Sequence, residues 1–137
     1  MLKFFRRKTK RNTQENTNAR EEAGRLFAAG QNCAQAVLQA TTGIDDPQML
    51  KMAKAFGGGV GGSKCLCGAV SGGVMALGLR EKGHLADRLV DEFRQAQGAT
   101  CCIALSRKFR WNSKEHKANC RLITEETAET VARLLEK

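Results

Sequence analysis

From residue 18 onward, apolar residues recur every three or four positions and never alternate, a pattern that predicts helices and no strands. Ala23, Leu26 and Phe27 form a stripe that Gly30 closes. Asn32 is a good N-cap for a second helix, which carries Cys33, Ala36, Val37 and Ala40 before Gly43. Asp46-Pro47 reads as a cap followed by proline at the first helical position, where its missing N–H costs nothing. Met49, Met52, Ala53 and Phe56 continue that third helix.

Residues 66–79, LCGAVSGGVMALGL, contain no charge and are apolar on every side, so this helix should be buried all round. Each of its glycines costs roughly 1 kcal/mol relative to alanine. That cost makes sense only if neighbours pack closely against Gly68, Ala69, Gly72, Gly73 and Ala76. Leu85, Leu89, Val90 and Phe93 mark a fifth helix ending at Gly98, followed by a short segment over residues 99–105. Ala128, Val131, Ala132 and Leu135 mark the last helix, with Glu125 and Glu126 near its start. The expected fold is all-α: a single compact helical bundle over residues 18–137, built around a buried small-residue central helix.

The chain has 137 residues, enough for one domain with a core of its own. Its net charge of +9 is unevenly spread. Residues 1–20 carry +6, 21–106 are neutral, 107–121 carry +5 and 122–137 carry −2. Residues 1–17 combine Lys3, Arg6, Arg7, Lys8, Lys10 and Arg11 with Gln, Asn and Thr, and lack an apolar period. Such a segment buries too little surface to offset its ordering entropy, so a disordered basic tail is expected there. The longest uncharged apolar-rich stretch, residues 65–79, falls short of the about 20 residues that a membrane helix needs. Arg6-Arg7 follows Met1, Leu2, Phe4 and Phe5 without an apolar signal region, and a cytoplasmic location is expected.

Three features invite other functions. Gly57-Gly58-Gly59-Val60-Gly61-Gly62 contains G-x-G-x-x-G, with Glu81 downstream, and is followed by Ser63-Lys64. Phosphate-binding glycine loops follow a strand, and here a helix precedes, so a close-packed connection is the better reading. The basic segment 107–117 interleaves cations with Phe109 and Trp111, a pattern that can stack nucleic-acid bases. Without a recognition module, and with a neutral body, a solvated loop that folds its aromatics back is preferred and nucleic acid is not favoured. His84 and His116 are isolated and read as surface residues.

Six cysteines remain. In a reducing compartment a disulfide framework is not expected, leaving small core fillers, metal ligands or redox groups. Cys33 falls in the first turn of the second helix, Cys67 opens the central helix, and Cys120 is expected to begin the last helical region. Helix N-termini favour anions, so thiols there should ionise more readily. Cys65 and Cys67 form C-x-C and Cys101-Cys102 are adjacent, but there is no C-x-x-C to support thioredoxin-like chemistry.

Gly30-Gln31-Asn32-Cys33-Ala34-Gln35-Ala36-Val37, the glycine run, Cys67-Gly68-Ala69-Val70-Ser71-Gly72 and Met75-Ala76-Leu77-Gly78-Leu79, with single cysteines downstream, resemble the C_GCAxxG_C_C family of redox-active proteins. The resemblance covers about residues 20–137 and implies a small bacterial or archaeal protein defined by four cysteines, often encoded near transporters. The family is also similar to a domain of split-Soret cytochrome c, where an iron–sulfur centre accompanies the haems. This chain has no C-x-x-C-H, so no haem role follows.

By position the resemblance selects Cys33, Cys67, Cys102 and Cys120, with Cys65 and Cys101 as extras that leave open which thiol of each pair is used. Four thiolates satisfy a [2Fe–2S] cluster for electron transfer with a redox partner that the sequence does not name. The alternative is a metal-free enzyme or sensor in which Cys33 and Cys67 are catalytic and cycle through a disulfide. A structural Cys₄ zinc site and a basic-tail binder of nucleic acid or an acidic partner are weaker readings. The small-residue central helix is also a candidate contact for a homo-oligomer.

Overall fold

A computed structural model describes the backbone from residue 13 and side chains from residue 18 through 137. The basic part of the expected tail, residues 1–12, lies outside the described residues. Helix α1 (Thr13–Ala28) begins just after it, so the expected boundary at residue 18 falls inside a helix. Then come α2 (Cys33–Thr42), α3 (Pro47–Lys54), α4 (Gly68–Leu79), α5 (Ala86–Gln97), the single turn α6 (Cys102–Leu105) and α7 (Lys114–Leu135). No strand occurs among the described residues, and none of the helices described is long and apolar enough to cross a membrane.

Local chemistry sets most of the boundaries. Asn32 Oδ1 accepts from the Gln35 amide and Gln35 Oε1 accepts from the Asn32 amide, both at 3.0 Å, a reciprocal cap on α2. The same two side chains tie α2 to α3, since Asn32 Nδ2 donates to Lys54 O and Gln35 Nε2 to Leu50 O. Gly43 and Gly98 end α2 and α5 in the left-handed conformation that glycine adopts most easily. Asp46 caps α3 ahead of Pro47, as expected.

α4 is the central helix, packed by α2, α5 and α7, and α7 also lies along α1. It starts at Gly68 with Cys67 as its N-cap, two residues later than its apolar run. A methyl group at Gly72 would collide with the Ala34 carbonyl. One at Gly73 would lie 2.7 Å from Leu89 and 2.8 Å from Val131, so these helices meet at closer range than alanine permits. Leu77, Leu89 and Leu134 are fully buried, each contributing about 2 kcal/mol. The solvent-facing pairs Arg20–Glu129 and Arg133–Glu92 contribute less than about 1 kcal/mol apiece, so apolar packing holds the bundle.

The start of the last helix also differs from expectation. α7 begins at Lys114, behind the Ser113 cap, so Cys120 lies in its second turn and not at a helix start. The buried stripe of α7 runs through His116, Ile123, Thr124, Thr127 and Val131, and its polar members hide the helical period. Thr124 and Thr127 satisfy their hydroxyls by donating to Cys120 O and Ile123 O at 2.7 Å.

Candidate thiol centre

The six cysteines divide into a bonded pair and four free thiols. The Cys67 amide donates to Thr100 O at 2.8 Å and the Ile103 amide to Lys64 O at 3.1 Å, which lays the two cysteine-bearing segments side by side. Cys65 and Cys101 face each other across this contact with Cα atoms 4.3 Å apart and are joined as a disulfide. This corrects the expectation of six unpaired thiols: backbone pairing, more than compartment, brings these two together.

The other four arrive from four places in the fold. Cys33 is the first residue of α2, Cys67 caps α4, Cys102 opens α6 and Cys120 projects from α7. All four line one cavity of about 710 Å³. The sulfur of Cys33 occupies the space where a side chain on Gly68 would begin, so glycine at the first turn of α4 lets that thiol approach. Cys67 and Cys102 are neighbouring thiols whose ionisations are linked. The Cys102 thiol donates to Leu66 O at 4.0 Å.

Burial and mutual proximity govern the acidities. Burial pushes the Cys33 thiol up to about 11, aided by negative charge at Cys102 and only partly offset by the Gly58 and Ala34 amides. Donation to Cys102 raises Cys67 well above the usual thiol range, and burial adds to the effect. Burial also pushes Cys120 to about 11, with charge at Cys33 and Cys102 contributing. Only Cys102 falls, to about 7, because it accepts from Cys67 and from the Gly68 amide as well as its own. The expectation of acidic thiols at helix starts is therefore corrected for Cys33 and Cys67. Desolvation at Cys33, and the interaction with Cys102 together with desolvation at Cys67, outweigh the partial charge of a helix end. Cys120 does not sit at such an end.

His116 is the residue that sequence reading misplaced. It is buried, at 5 % exposure, and is not a surface residue. Its Nδ1 accepts from the Asn112 amide at 2.9 Å, and its Nε2 lies 3.5 Å from the Cys120 sulfur. Trp111 packs over it with ring centroids 4.3 Å apart, and Lys64 Nζ stands 4.4 Å above the indole. Burial, with the charge of Lys64 second, holds the His116 pKa below its ordinary value. The available signal was the i, i+4 spacing of His116 and Cys120 behind a serine cap. Phe109 is half-buried and Trp111 packs against the core, so the aromatics of the basic segment do fold back. His84 is exposed, as expected.

Among the described residues, no three His, Cys, Asp or Glu side chains stand close enough together to hold a single metal ion. Residues 31–134, which contain all four free thiols, match the family model described as putative redox-active protein (C_GCAxxG_C_C). The chain belongs to this family. No curated protein and no solved structure is a match for it. The C_GCAxxG_C_C match leaves out α1, whereas the helices that carry the four thiols lie within it but for Leu135 at the end of α7.

Proposed function

We propose that Cys33, Cys67, Cys102 and Cys120 form one redox centre that binds a [2Fe–2S] cluster and carries electrons for a partner protein. The observation that supports this most is that these four thiols line one cavity while the other two cysteines are bonded to each other. The donor set fits: thiolates are the ligands that iron–sulfur clusters use, and four of them complete one. Gly68, where a side chain would displace the Cys33 sulfur, keeps the first turn of α4 open to that thiol. The amides of Gly58 and Ala34 favour negative charge on Cys33, and that of Gly68 favours it on Cys102. Such a cluster supplies one-electron chemistry, and the chain's part is to supply sulfur, orient it and shield it in the bundle. Protein purified without oxygen and reconstituted with iron and sulfide should show charge-transfer bands in visible light. Absence of those bands and of bound iron would refute the proposal.

A second reading is favoured by the neighbouring thiols Cys67 and Cys102, the latter the most acidic of the set at about 7. In it the chain works without metal as a dithiol. Cys102 thiolate attacks a disulfide or peroxide, and Cys67 then displaces the bound group to form Cys67–Cys102. Two thiols give up two electrons to the oxidant and release their protons. The sequence paired Cys33 with Cys67 for this task; this reading pairs Cys67 with Cys102, since the ionisations of those two are linked. Iron-free protein that loses two titratable thiols to mild peroxide, and regains them with a reductant, would support this reading.

A further inference from the structure

We infer that His116 is a positioning residue of the thiol centre, donating an Nε2–H hydrogen bond to the Cys120 sulfur and thereby raising the centre's reduction potential. The inference rests on the proposed redox role of Cys120. Its hydrogen-bond direction follows from geometry alone. A backbone amide can only donate, and the Asn112 amide lies 2.9 Å from His116 Nδ1. That nitrogen must therefore present its lone pair. The imidazole proton then resides on Nε2, which faces Cys120 Sγ at 3.5 Å.

Three neighbours hold the ring in this orientation. Asn112 adopts a left-handed backbone, φ 64°, which turns its amide back toward the residue four ahead. Ser113 Oγ accepts from the His116 amide at 3.1 Å and fixes the first turn of α7 beneath the ring. Trp111 covers the imidazole at a tilt of 36°. A sulfur that gains negative charge on reduction is stabilised by a fixed N–H donor, so the reduced state benefits more than the oxidised one.

Nitrogen-detected NMR of the wild-type imidazole should report the Nε2–H tautomer, and an Nδ1–H tautomer would overturn the inference without reference to any cofactor. The midpoint potential of the reconstituted protein should shift to a more negative value in His116→Leu and return toward wild type in His116→Gln, whose amide keeps a donor in the same direction. Equal potentials in all three proteins would overturn the inference. If wild-type protein binds no iron, the cluster proposal fails separately, and the tautomer of the wild-type imidazole then decides whether His116 donates to Cys120. Should His116→Leu fail to fold, the wild-type tautomer and the His116→Gln potential still decide the matter, a large negative shift in the glutamine protein counting against a donor role.

Discussion

The middle of α4 and its first turn are made of the same small residues and serve opposite ends. In the middle, Gly72 meets the Ala34 backbone and Gly73 meets Leu89 and Val131, so the space that glycine leaves is filled by backbone and aliphatic carbon. At the first turn, Gly68 yields its space to the sulfur of Cys33, and Cys67 beside it opens onto the cavity shared with Cys102 and Cys120. A small residue thus either closes a core or admits a reactive group. What the neighbouring helix brings to the contact decides which.

Four experiments can break or sharpen this contrast. The largest effect is expected just outside it. Cys65→Ser opens a disulfide that links positions 36 residues apart, and should cost about 4 kcal/mol under non-reducing conditions while leaving the four cavity thiols in place. Denaturant unfolding with and without reductant measures this, and equal stabilities would remove the disulfide from the account. Gly73→Val drives methyl groups into Leu89 and Val131 and should cost about 3 kcal/mol by the same assay. A neutral outcome would mean that the middle of α4 is not closed.

Gly68→Ala should cost less, about 1–2 kcal/mol. Its signature lies elsewhere: the new methyl displaces the Cys33 sulfur, so iron loading should be lost in protein that still folds. Full loading would show that Gly68 does not make room for the centre.

The smallest effect is a pH dependence in metal-free protein. The folded pKa of Cys102, about 7, lies below the ordinary 9.0, so folding favours its thiolate. The stability this contributes is fully present above pH 9 and is lost as pH falls toward 7. Cys33, at about 11, has the opposite sign: its contribution is lost as pH rises from 9 to 11. Thiolate absorbance should show one cysteine titrating near 7, and Cys102→Ser should remove that step. A step that survives the substitution would assign it to another residue.

How much of this was legible in the sequence depended on how local the cause was. The caps Asn32 and Asp46, the stops Gly43 and Gly98, and the all-apolar α4 were readable because each rests on neighbours in the chain. The four free thiols were readable only through the family pattern, since no helical period relates α2 to α6 or α7. Burial of His116, the start of α7 and the acidity order of the cysteines were not legible. Each depends on what other helices bring: a buried stripe carried by His116, Thr124 and Thr127, and desolvation stronger than a helix end. The Cys65–Cys101 bond likewise arises from backbone hydrogen bonds between segments far apart in the chain.

The most direct test of the central proposal is iron loading across six single cysteine-to-serine variants, each reconstituted with iron and sulfide and compared with wild type. Iron and sulfide should bind in equal amounts to wild type, Cys65→Ser and Cys101→Ser, and should be lost or sharply reduced in Cys33→Ser, Cys67→Ser, Cys102→Ser and Cys120→Ser. No iron in wild type, or loss that falls on Cys65 and Cys101 in place of those four, would contradict it.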